Sequence, residues 1–168
     1  MSVESWNVFW DAGKVRPAAR RASGRERGEA RPGRTFRARL SGFSEVPPIL
    51  TGATGSFEAR VTDKGIEYTL TYQNLTTPTL FAHIHFGQPG VNGDIIAFLC
   101  GGGTKGACPD REGTVQGVIR AEDILEIPSQ GLSAGDLEGA LRIIRSGTAY
   151  VNVHTEAFPA GEIRGQIR

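Results

Sequence analysis

The chain contains three histidines, and all of them fall in two short strand-like phrases, Phe81-Ala82-His83-Ile84-His85-Phe86 and Tyr150-Val151-Asn152-Val153-His154-Thr155. Side chains alternate between the faces of a β-strand, so His83 and His85 point the same way, about 7 Å apart. That is the spacing of a chelating pair. In the second phrase Val151 and Val153 share one face, while Tyr150, Asn152 and His154 share the other. If the two strands approach each other, three imidazoles converge. Three neutral imidazoles with an open fourth position suit copper or zinc, and the ligand set alone does not choose between them. The competing reading is structural, with the histidines hydrogen-bonding to loops or backbone on a half-buried sheet.

A last phrase, Gly161-Glu162-Ile163-Arg164-Gly165-Gln166-Ile167, places Ile163 and Ile167 on an apolar face and Glu162, Arg164 and Gln166 on the opposite one. Only residues 155 to 160, with Pro159 among them, separate it from the preceding strand, and so short a connection makes antiparallel neighbours. The pairing predicts Glu162 beside His154, where a carboxylate fixes the tautomer of a metal-bound imidazole. The alternative role for Glu162 is an ion pair with Arg164. Tyr150 and Asn152 are expected to line a pocket on the histidine face. Glu45, just before Pro47-Pro48, reads as a turn or sheet-edge residue. No Ser/His/Asp grouping is visible, and Gly101 to Gly103 lacks the Lys-Ser/Thr ending of a phosphate loop.

These phrases must be held by strands. With 23 glycines and 9 prolines spread between short alternating runs, the 168 residues fit an all-β fold. Eight strands are predicted, at 35–41, 55–62, 65–73, 79–86, 93–99, 113–120, 148–154 and 161–167. Phe36, Ala38 and Leu40 point inward on the first, and Asp63-Lys64-Gly65 turns between the second and third. Several runs alternate cleanly, the pattern of sheets with one wet face. The set suggests a Greek-key sandwich or barrel. One helix interrupts it, capped by Ser133, with Leu137, Leu141 and Ile144 on its buried stripe and Gly147 at its end. Cys100 and Cys108 bracket a glycine-rich loop that fits no CxxC motif; a local disulfide is favoured over two idle thiols.

Residues 1–34 differ in character. Their eight basic and four acidic residues give +4, leaving −3 for residues 35–168. That balance does not suit a nucleic-acid binder. The leader reads as a disordered basic segment ahead of one β domain spanning 35–168. It has no apolar run of signal-peptide length, and the chain has none long enough to span a membrane.

The ordered set of motifs resembles the CHRD (chordin) domain family over about residues 35 to 168. The motifs are Leu40-Ser41-Gly42-Phe43-Ser44-Glu45-Val46-Pro47-Pro48, the Gly52 to Gly55 turn, Ala82-His83-Ile84-His85, Val91-Asn92-Gly93, Gly147 to Thr155, and Pro159 to Gln166. The resemblance implies an immunoglobulin-like β-barrel with limited similarity to copper/zinc superoxide dismutases. It also implies an extracytoplasmic setting despite the absent signal peptide, with a disulfide compatible with that compartment. In those dismutases a His-x-His pair and a later histidine hold copper, an order that His83, His85 and His154 resemble, and Arg164 loosely matches an arginine that attracts superoxide. The dismutases' zinc subsite has no counterpart, because Asp94 to Asp110 contains no histidine. The expectation is a non-enzymatic binding module with a transition-metal site and an extracellular protein partner. The alternatives are a mononuclear copper redox or dismutase-like enzyme, and a purely structural or interaction domain.

Overall fold

A computed structural model describes residues 35–168. The expected leader at 1–34 lies outside the described residues. The elements run β1 (Thr35–Ser41), a 3-10 turn (Gly42–Ser44), β2 (Thr54–Thr62), β3 (Gly65–Gln73), β4 (Thr79–Phe86), β5 (Asp94–Cys100), β6 (Gly113–Ile119), two further 3-10 turns, α1 (Leu137–Arg145), β7 (Ala149–Thr155) and β8 (Ile163–Gln166). All eight strands pair antiparallel in one sheet of order β5-β4-β7-β8-β1-β2-β3-β6. The sheet curls into a nearly closed barrel. Across the gap between its two edge strands, the Tyr68 hydroxyl on β3 donates to the Leu99 carbonyl on β5, and the Lys105 ammonium donates to the Val118 carbonyl on β6.

Alternation decides what fills the barrel. Phe36, Ala38 and Leu40 of β1, Phe57 and Ala59 of β2, and Ile66, Leu70 and Tyr72 of β3 are all buried, and their intervening neighbours are mostly exposed or half-buried. Ala82, Ile84, Val151, Val153 and Ile163 continue that interior through β4, β7 and β8. These last three strands depart from the expected wet outer face, because every residue of β7 is buried. Loops fold over the outside. The segment after β1 and the Gly87–Gly93 turn are tied to each other where the Asn92 amide donates to the Val46 carbonyl (3.0 Å). Polar side chains there are therefore enclosed rather than solvated, and an enclosed polar group must find partners.

The helix forms where the Leu137, Leu141 and Ile144 stripe predicts, but its cap is Asp136, whose carboxylate accepts from the Gly139 amide at 2.8 Å. Ser133 stands a turn too early, and its carbonyl takes the Asp136 amide instead.

Cys100, at the end of β5, is disulfide-bonded to Cys108. Closing so short a loop restricts the unfolded chain, and replacing both cysteines with serine is expected to lower unfolding free energy by about 2–3 kcal/mol. Urea melts of the oxidised protein and the double variant check this. Two titratable thiols in denatured, unreduced protein would show instead that the bond is not formed.

Candidate metal centre

Strand β7 lies beside β4 in the register His83↔Asn152 and His85↔Tyr150, and beside β8 in the register Asn152↔Arg164. This pairing gathers the outward side chains of three strands. His83 and His85 come from alternate positions of β4, His154 and Asn152 from alternate positions of β7. One ligand nitrogen from each histidine can be chosen so that all three lie within 4.8 Å of one another. His83 Nδ1 and His154 Nε2 are 3.1 Å apart. Two nitrogens about 2.0–2.1 Å from one tetrahedral ion are themselves roughly 3.3 Å apart, so this pair already has ligand spacing. The third nitrogen needs to close by about 1.5 Å at most.

Two of the three rings are fixed from behind. His85 Nδ1 donates to the Gly93 carbonyl (2.9 Å), and His154 Nδ1 donates to the Pro159 carbonyl (3.0 Å). Both bonds leave Nε2 with its lone pair turned into the cluster, which is how a backbone carbonyl selects the tautomer of a metal ligand. His85 Nε2 and His83 Nε2 are buried and have no hydrogen-bond partner. Aromatic rings form the walls. Phe81 stacks on His83 (4.9 Å between centroids), Phe98 meets it edge-on (4.5 Å), and Tyr150 lies flat on His85 (4.7 Å, 2° between planes).

This enclosure sets the protonation state. Burial, reinforced by neighbouring His154 and His85, pushes the His83 pKa down to about 3. Burial pushes His85 down to about 4, against the opposing bond to Gly93, and lowers His154 as well. All three rings are neutral at pH 7, the form that binds a metal.

Arg164 is 2% exposed. Its guanidinium sits 3.4 Å from the centroid of the Tyr150 ring and donates to Asn92 Oδ1, the Gln88 carbonyl and the Val91 carbonyl. It thus clamps the loop that also supplies Gly93 to His85. Tyr150 is sandwiched between Arg164 and His85, so it is a wall of the cluster rather than the lining of an open pocket.

Glu162 is not where strand alternation puts it. Regular pairing ends at Val153↔Ile163, and the Glu162 amide donates to the Val153 carbonyl (2.8 Å), one residue out of register. A one-residue slip reverses faces. The fully buried carboxylate therefore turns away from His154 and accepts from Thr51 Oγ1, Thr155 Oγ1, and both the amide and hydroxyl of Thr76. The expected contact with His154 and the alternative ion pair with Arg164 are both replaced by this threonine cage. Glu162→Ala strands these buried donors and should cost on the order of 3 kcal/mol. Metal affinity at the histidines should stay within a few-fold of the parent, measured by chelator competition below the melting point. A selective loss of affinity would return Glu162 to the site.

Sequence reasoning missed Glu45. It is 5% exposed, with a buried Oε1 that lacks a hydrogen-bond partner. Burial raises its pKa to about 7, against the pull of Arg164, the Val46 amide and Asn152. Its proximity to Pro47-Pro48 marks a stiff loop but carries no sign that the loop folds over the outer face of β7 and β8.

A model of the CHRD domain family matches residues 36–167. No curated protein and no solved structure matches the chain.

Proposed function

The chain belongs to the CHRD domain family, and from its enclosed histidine cluster we propose that it is a non-enzymatic, extracytoplasmic binding module that holds one copper or zinc ion through His83, His85 and His154. The observation that carries this reading is the set of three buried, neutral imidazoles whose ligand nitrogens lie within 4.8 Å. Buried polar atoms without partners are rare because each forfeits its hydration, and an ion held beside His83 Nδ1 and His154 Nε2 would give the unpartnered His85 Nε2 a partner. The Cys100–Cys108 disulfide supports an oxidising compartment. An extracellular protein partner fits the same setting, and the exposed Phe43 and Leu50 on the loop that covers the cluster offer it apolar contact.

A binding role is favoured over dismutase-like chemistry because the cluster is walled by Phe81, Phe98 and Tyr150 and no histidine lies between Asp94 and Asp110 to form a second metal subsite. The test is reconstitution with Zn2+ or Cu2+, removal of free metal, and elemental analysis. One tightly held ion per chain is expected, absent from the variant with all three histidines changed to alanine. A triple variant that binds as the parent does eliminates the site. Superoxide dismutation far above a free-copper control, abolished by His85→Ala, transfers the protein to the enzyme class.

A further inference from the structure

Asn152 Oδ1 lies 2.8 Å from His154 Nε2. Because His154 spends its ring proton on the Pro159 carbonyl, that Nε2 carries a lone pair, and two lone pairs face each other at hydrogen-bond distance. His83 Nδ1 is also 3.1 Å from the same nitrogen. His83 Nδ1 and Asn152 Oδ1 thus both lie beside His154 Nε2, at 3.1 and 2.8 Å, near the spacing of adjacent ligands around a tetrahedral ion.

What holds the amide this way round lies behind it. Gly161 has φ +128° and no side chain; a Cβ there would stand 2.5 Å from Glu45 Oε1 and 2.9 Å from Asn152 Nδ2. The missing Cβ is the space into which the Glu45 carboxylate and the Asn152 amide nitrogen both project. Glu45 Oε1 has no hydrogen-bond partner and borders the same space as Asn152 Nδ2, and an acceptor oxygen on that side favours the amide nitrogen there over Oδ1, leaving the carbonyl end of Asn152 toward the histidines.

We propose that Asn152 Oδ1 is the fourth donor of the metal site and that Glu45 is the positioning residue that orients it. The inference rests on the three-histidine reading and specifies how that site is completed. It gives four neutral donors, N3O, with the Glu45 carboxyl group one side chain removed.

Zn2+ affinity by chelator competition and the visible spectrum of the Co2+-loaded protein test this in the full chain. Asn152→Ala is expected to weaken Zn2+ binding by about 10–100-fold, the effect usual for groups that tune a metal site, and to alter the Co2+ ligand-field bands. Glu45→Gln is expected to weaken binding similarly and to shift the bands, because glutamine no longer selects the amide orientation. Urea melts of metal-free Asn152→Ala and Glu45→Gln serve as the control for folding. If the parent protein binds no Zn2+, the three-histidine reading fails. If the parent binds but Asn152→Ala leaves affinity and Co2+ bands unchanged, only the fourth-donor assignment fails. An effect of Asn152→Ala with none of Glu45→Gln overturns the role given to Glu45.

Discussion

His154→Ala should cost more metal affinity than any other single substitution in the chain, by more than the about 10–100-fold typical of supporting partners. Its Nε2 is the atom that His83 Nδ1 and Asn152 Oδ1 both face, and its Nδ1 is tied to the Pro159 carbonyl at the bend into β8. Removing the ring takes away one ligand and also the common neighbour that keeps two others within ligand spacing. His83→Ala should be next in severity, because Phe81 and Phe98 hold that ring at the centre of the cluster. His85 stands farther out, 6.1 Å between ring centroids from His154. Chelator competition with Zn2+ ranks the three variants. Equal, few-fold effects at all three positions would contradict a shared ion.

The metal-free protein should lose stability as pH falls from about 6.5 toward 4.5. His83 and His85 have folded-state pKa values of about 3 and 4, against an ordinary 6.5. Below 6.5 the unfolded chain binds protons that the folded cluster refuses, so acid favours unfolding. Their contribution is fully present above pH 6.5 and is lost toward pH 3–4. Glu45 acts in the opposite sense: its folded pKa of about 7 makes the folded state the better proton acceptor between 4.5 and 7. One carboxyl offsets about one histidine. With His154 also lowered, the net loss is on the order of 2–3 kcal/mol after allowance for solvent screening. Urea melts in chelator at pH 6.5 and 4.5 measure it. His83→Gln should flatten the dependence, and stability that is constant or greater at pH 4.5 would refute the buried, neutral cluster.

The strands and the convergence of the histidines were legible because both rest on period-two alternation, which survives any tertiary context that keeps the strands extended. Phe36, Ala38 and Leu40 point inward for the same reason that His83 and His85 share a face. Two local events were not legible. The slip at Glu162 reverses one side chain without changing the sequence pattern around it, and it moved that carboxylate from His154 to Thr51, Thr76 and Thr155. The loop carrying Glu45 closes over β7 and β8 through contacts such as Asn92 to Val46, which join residues far apart in the chain. Periodicity has no access to such contacts. Ser133 and Asp136 both have side chains suited to a helix cap and lie one turn apart, and the Gly139 amide decides for Asp136.

X-ray absorption at the zinc edge of the reconstituted protein identifies and counts the atoms around the bound ion. Three imidazole nitrogens at about 2.0–2.1 Å are expected, with one further light donor and no sulfur. A shell of oxygen atoms alone, or one with fewer than two imidazoles, would contradict the three-histidine site.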